Sequence, residues 1–326
     1  MEIIDLVKRF AGHSGVSALQ HVWDDKTVGT MHLKGLSASA APMLFGAMAL
    51  GDKPWQVPVA LFVLNDLEEA GYFYHDLTQM MGEGQVLFLP SSYKRAIKYG
   101  QKDSANEVLR TEVLTRLSEL KIENGKLKIN STETCEEHEN RPDGNNSQLS
   151  IVNSQLYIVS YPDALAELVV SQATLTDRSV QLAVGDTVEI PQMEAALVGE
   201  GFERVDYVYE PGQFAVRGSI IDVFSYASEY PYRIDLFGDE VDSIRTFEIE
   251  SQLSRDKVSH VSIVPNFDGA GTQGMVSFLD FLPEGSALAF QDYFWVHERM
   301  EQLEASPNPS QGGGLGSAMS ESPLLG

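Results

Sequence analysis

Two neighbouring stretches decide how this chain folds: VYEPGQFAVRGSIIDVF at residues 208–224 and YRIDLFGDEVDSIRTF at residues 232–247. Apolar side chains recur at every second position, the period at which successive residues of a strand face opposite sides. Gly212, Gly218 and the Gly238-Asp239 pair punctuate the runs as turns. Together they predict a twisted antiparallel sheet of hairpins over residues 205–265. Arg217, Arg233 and Arg245 alternate with Glu210, Asp222, Asp235, Asp239 and Asp242. Opposite charges on facing strands form cross-strand pairs that hold the register, so these residues read first as scaffold.

Upstream, the periodicity changes. From Gln155 to Phe202 the pattern is that of a small α+β module, with strands at 156–160 and 180–184 and helices from Pro162 and over 191–200. Ser160 is placed to cap the first helix and Gly201 to end the second. From residue 1 to about 110, helical patterns alternate with short apolar runs, as in an α/β domain with a parallel sheet. Val57–Leu64 and Val86–Leu89 are such runs, and between them Asp66–Met81 has helical spacing with acids at its start, completing a βαβ unit. Ser104 and Glu107 have capping-box spacing ahead of a further helix. Residues 131–150 are polar and acidic, as expected of a flexible insertion. Asn146–Val152 (NSQLSIV) is repeated as Asn153–Val159 (NSQLYIV), and 306–326 is rich in Ser, Gly and Pro like a linker. The expected domains are 1–111, an inserted domain at 112–204, a return to the first domain at 205–265, and a C-terminal extension and linker at 266–326.

The 326 residues include 23 Lys and Arg against 47 Asp and Glu, a formal charge of −24. Such a chain repels phosphate backbones, which argues against a DNA-binding domain in its own right. Hydrophobic residues make up 43% of the chain, enough for a sizeable core. The lone cysteine, Cys135, forms no internal disulfide, and with His138 it offers half of a structural zinc set, so no metal site is expected. An acidic start and the lack of any long apolar run point to a cytoplasmic protein with no membrane contact. Neither a G-x-S-x-G elbow nor a G-x-G-x-x-G turn occurs, and no residue is assigned a catalytic role.

GLSASAAP at residues 35–42 has the length of a phosphate loop and lies where a strand is expected to turn into a helix. A working loop needs a second glycine, a lysine for the phosphates and Ser or Thr for Mg²⁺. Laid from Gly35, those positions hold Ala40, Ala41 and Pro42. On its own the segment is a small-residue turn entering a helix, and no cofactor is expected.

The blocks at 208–224 and 232–247 closely resemble the EPGxFxVRGxIIDxF and YRIxFFGDExDSIRxFD motifs shared by the excision repair protein UvrB and the N-terminal part of the transcription-repair coupling factors (Mfd). Gly212, Arg217, Gly218, Asp222, Arg233, Phe237, Gly238, Asp239, Glu240, Asp242 and Arg245 carry the match, and weaker similarity extends it to about residues 20–265. The lost phosphate loop resembles the coupling factors rather than UvrB. The resemblance implies a P-loop-like parallel-sheet domain with a degenerate nucleotide site, interrupted by a small α+β domain that docks on UvrA and completed by antiparallel hairpins. It implies a non-catalytic module that recruits UvrA to lesions stalling RNA polymerase. The ATP-dependent translocase and the contacts to DNA and RNA polymerase would lie in regions outside this chain. The family's UvrA contact includes arginines at positions that here hold Leu168, Thr187, Ile190 or Glu194. Either apolar and acidic groups replace them, for instance Glu167, Val169, Val188 and Glu189, or Arg178 supplies the charge; Ser171 completes the candidate contact set. The alternative is a UvrB-like ATPase or helicase subunit with unconventional nucleotide contacts.

Overall fold

A computed structural model of the chain describes residues 3–25, 27–51, 54–82, 84–93, 104–123, 126–129, 155–267 and 274–305. The expectations for 131–150, the first repeat copy, Cys135 with His138, and 306–326 lie outside the described residues.

In chain order the elements begin with α1 (Ile3–Ala11), α2 (Ser14–Asp24), α3 (Ala40–Leu50), β1 (Val59–Val63), α4 (Leu67–Met81) and β2 (Val86–Phe88). There follow α5 (Ser104–Ser118), β3 (Leu120–Glu123), β4 (Lys126–Ile129), β5 (Leu156–Ser160), α6 (Pro162–Leu165), β6 (Val169–Val170), α7 (Gln172–Arg178), β7 (Val180–Ala183) and α8 (Ile190–Gly199). The remainder is mostly strand: β8 (Glu203–Arg204), β9 (Gln213–Arg217), β10 (Ile220–Val223), β11 (Tyr232–Phe237), β12 (Glu240–Phe247), β13 (Ser254–Val258), β14 (His260–Ile263), β15 (Met275–Val276), β16 (Ala287–Phe290) and finally α9 (Tyr293–Glu304).

The chain divides into two units, one of residues 1–96, 155–169 and 276–326, the other of 97–154 and 170–275. In the first, VALFV of β1 and LYIVS of β5 are buried at every position, the signature of strands covered on both faces. They form the centre of a parallel sheet ordered β16-β1-β5-β2. Helix α4 starts where Asp66 accepts hydrogen bonds from the amides of Glu68 (2.8 Å) and Glu69 (3.0 Å), which satisfies donors a helix start leaves open. Its Phe73, Leu77 and Met80 join Ala47, Met48, Trp55 and Phe62 in one core.

In the second unit six strands run in the order β13-β12-β11-β10-β9-β8, antiparallel except for the parallel β8–β9 pair. One face buries Phe214, Ile221, Ile234 and Ile244 against Leu182 of β7, Met193 and Leu197 of α8, and Val261 of β14. Beside Ala215, Val208, Phe224 and Phe247 form a smaller cluster.

The mixed α/β class, the parallel sheet and the hairpins match the sequence reading. The domain limits do not. Leu156–Ser160, expected in an inserted domain at 112–204, is the inner strand between β1 and β2, because its unbroken apolar run needs cover on both faces. Residues 205–265 belong with 170–204 rather than with the parallel sheet. Within 266–326, β16 and α9 return to the first unit, with β16 on β1. Ser160 does not cap α6; its hydroxyl donates to the Leu89 carbonyl (2.9 Å). Gly201 does end α8, with φ +87° and its amide on the Val198 carbonyl (3.0 Å).

Candidate protein-docking face

Most of the family-motif residues stand on one side of the six-stranded sheet. Since Phe214, Ile221, Ile234 and Ile244 point into the core, their neighbours at alternate positions face the other way. Asp222 has no exposed surface and stands opposite Arg233 in the register. Arg233 grips it with two bonds, Nε to Oδ1 at 2.7 Å and Nη2 to Oδ2 at 2.9 Å, the bidentate geometry that suits guanidinium to carboxylate. Arg217 donates to the same carboxylate from the other flanking strand. The bonds from Asp222 hold the Arg233 guanidinium above its ordinary pKa. Arg233 also lies over the Phe247 ring (4.4 Å) and Arg217 over the Tyr207 ring (5.0 Å). Arg245, directly opposite Arg233, is bonded to Asp235 instead, so each arginine of this like-charged pair has its own carboxylate. Of the acids expected to form cross-strand ion pairs with these arginines, Asp222 and Asp235 do so.

Two turns shape the rims of this face. Gly218 (φ +63°) and Gly238 (φ +66°) open two-residue turns between strands paired at Arg217–Ile220 and Phe237–Glu240, conformations that glycine adopts without strain. A β-bulge follows between Asp235 and Leu236, where Asp242 has no partner in the register. Phe237, read from sequence as a structural motif residue, is 84% exposed. A phenyl ring in that position contributes nothing to the core. Tyr207, Tyr209 and Leu253 are also exposed, and Gln252 links their loops, its side chain donating to the Val208 carbonyl (3.5 Å) and the Ile249 carbonyl (2.8 Å) while its own carbonyl accepts from Arg233 Nη1 (3.0 Å).

The candidate contact residues separate into distinct settings. Thr187 and Val188 lie against the Phe237 turn, and Glu189 follows them at the start of α8: Val188 donates its amide to the Asp239 carbonyl (2.6 Å) and Thr187 bridges Glu240. Thr187 and Glu189 are exposed there, whereas Val188 is buried. Arg178 is engaged within its own unit, with Nε on Glu200 at 2.8 Å and its guanidinium over Phe267. Ser171 caps α7 by accepting from the Thr174 amide (3.2 Å). Glu167, Leu168 and Val169 belong to the first unit. Glu167 is buried and its carboxylate accepts from the Ser91 hydroxyl and from the amide and hydroxyl of Ser92. It fastens the segment after β2 and is not available to a partner, which corrects its reading as a contact.

The Gly35 segment departs from expectation as well. Gly35 has φ +83° with open space around it, and α3 begins at Ala40 with Pro42 buried in its first turn. Residues 27–34, however, form no strand. The sequence VGTMHLK carries Gly, Thr, His and Lys in place of the apolar run an inner strand needs, so the strand-to-helix turn of a phosphate loop is missing. Among the described residues, no group of three His, Cys, Asp or Glu is placed to hold a metal ion, and no helix is long and apolar enough to cross a membrane.

Residues 180–268 match the family profile named UvrB interaction domain, which covers β7, α8 and the six-stranded sheet. Over 234 residues the chain is 30% identical to the transcription-repair-coupling factor of Bacillus subtilis strain 168, an overlap of 72% of this chain and 17% of that protein. It is 41% identical over 81 residues to the protein of the same name from Haemophilus influenzae, covering 25% of this chain and 7% of the relative. With that of Escherichia coli K12 it shares 32% identity over 103 residues, or 32% and 9% of the two chains. The chain spans less than a fifth of the length of these relatives.

Proposed function

Starting from a chain that belongs to the N-terminal, UvrB-like region of the transcription-repair coupling factor family, we propose that it is a non-catalytic docking module which recruits UvrA through its six-stranded sheet. The observation that carries this reading is Phe237, 84% exposed on a turn to which Thr187 and Val188 are bonded by their backbones. Aromatic side chains are enriched at the core of protein interfaces, and this one stands in solvent on a turn whose backbone is fixed. Arg217, Arg233 and Arg245 continue the same side of the sheet, already oriented by Asp222 and Asp235, so little side-chain entropy remains to be lost on binding. Glu167 leaves the proposed contact set, and Thr187 and Glu189 stay in it.

The non-catalytic half of the proposal rests on the Gly35 segment, which lacks both the phosphate-binding lysine and the strand before it. In a longer coupling factor, translocation along DNA and contact with RNA polymerase would belong to other regions. Titration calorimetry of the chain against UvrA tests the docking face. Phe237→Ala is expected to weaken binding at least about tenfold, with Glu189→Ala giving a smaller loss and Arg178→Ala none. Unchanged affinity for Phe237→Ala, with UvrA still bound, would place the contact elsewhere. ATP turnover by the purified chain above that of a Gly35→Asp variant would refute the non-catalytic assignment.

A further inference from the structure

At the carboxyl end of the parallel sheet in the first unit, Gln291 follows β16 and its amide bonds the carbonyl of Val63, the last residue of β1 (3.0 Å). The next residues, Tyr293, Phe294 and Trp295, open α9 with their rings in solvent, Phe294 79% and Trp295 51% exposed. The helix spends its apolar face on Val296, Met300 and Leu303, which are buried, so the aromatic trio is surplus to the core. It is nonetheless fixed in place. Tyr293 packs edge-on against Phe290 (5.5 Å) and Phe294 (5.8 Å). Trp295 Nε1 donates to the Asn65 carbonyl (3.4 Å), and Asp292 caps the helix by accepting from the Trp295 amide (3.1 Å).

Among the described residues, carboxylates predominate beside these rings. Asp292, Glu298, Glu301 and Glu304 are exposed on α9, and Glu68 and Glu69 open α4 three and four residues beyond Asn65. Arg299 is committed to Asp163 (2.6 Å), and His297 lies beside Glu301 at 3.9 Å. We propose that the aromatic end of α9 with its acidic flank is a second docking surface, for a basic protein segment that presents arginine or lysine together with apolar side chains. Guanidinium and ammonium groups bind both to aromatic faces and to carboxylates, whereas the phosphates of a nucleic acid would meet repulsion. A second copy of this chain brings the same acids and the same −24 charge. The surface lies outside the matched 180–268 region and is independent of the UvrA proposal.

The test uses the full chain and, as probe, a short synthetic peptide of alternating leucine and arginine, with a leucine–glutamate peptide and a single-stranded oligonucleotide beside it. Saturable binding of the basic peptide is expected, weakened at least about tenfold both by Phe294→Ser with Trp295→Ser and by Glu298→Lys with Glu301→Lys. Reversing two exposed acids in the other unit, Glu250→Lys with Asp256→Lys, makes the same change in net charge and is expected to leave the affinity within about twofold. Circular dichroism establishes that each variant is folded. The proposal is overturned if the basic peptide does not bind, if the control reversal weakens it equally, or if either variant pair leaves binding unchanged. It is equally overturned if the acidic peptide or oligonucleotide binds as tightly, or if sedimentation finds a dimer that the Phe294→Ser, Trp295→Ser variant dissociates.

Discussion

Asp222 has no exposed surface and two guanidinium partners, so truncating it strands Arg217 and Arg233 beside an apolar sheet. Breaking a buried ion pair from one side costs about 3–5 kcal/mol, and with Arg217 partly in solvent we place Asp222→Ala at about 3 kcal/mol. A urea titration should show that loss as a lower midpoint with unchanged slope. Gly212 combines φ +86° with a neighbour that forbids a side chain, since a Cβ would sit 2.6 Å from the Tyr226 hydroxyl. Gly212→Ala should destabilise by about 1–3 kcal/mol, and Tyr226→Phe should recover only part of this, because the ring carbons remain within 3.0 Å. The alternation of Arg and Asp makes the Asp222 pairs legible from the order of residues alone. Tyr226 as the reason for Gly212 is not legible in that way, for it reaches Gly212 from just past the end of the neighbouring strand β10, a contact that no local pattern marks. Glu167 misleads for a related reason: a lone acid reads as solvated until Ser91 and Ser92 arrive from the segment after β2.

Among the elements, the hairpins can be read because period-2 burial and positive-φ glycines are local signals. β5 is recognisable as a strand but not as a member of its sheet, since which strands pair in a parallel sheet depends on long crossovers that leave no local mark. Helix α5 carries a different consequence. Glu112 and Glu119 are largely withdrawn from water beside Arg116, and burial raises both carboxyls above their usual value of 4.5 despite that arginine. A carboxyl raised in the native state holds its proton more tightly there than in the unfolded chain. Its contribution to stability is therefore complete below about pH 4.5 and is lost as the pH rises through the native-state value. Glu112→Gln and Glu119→Gln should each raise the melting temperature at neutral pH while changing it little in acid. Thermal melts across that range would contradict this if the variants lost stability most at neutral pH.

At the scale of the whole molecule, the two largest apolar clusters described above come from different parts of the chain, one around β1 and α4 and one between the six-stranded sheet and α8. Trp23, Trp55 and Trp295 all fall in the first unit, so tryptophan emission reports on that unit while far-ultraviolet circular dichroism reports on both. Ile234 is fully buried in the core of the second unit, and truncating such a side chain costs about 2–5 kcal/mol. Because the two cores share no residue, Ile234→Ala should shift part of the circular dichroism transition to lower urea and leave the emission midpoint in place. Two separate transitions would also explain how a docking face on one unit can be altered without disturbing the aromatic surface of the other. A coincident shift of both signals would mean that the units unfold as one cooperative body, and a substitution at Phe237 would then have to be judged against the stability of the entire chain.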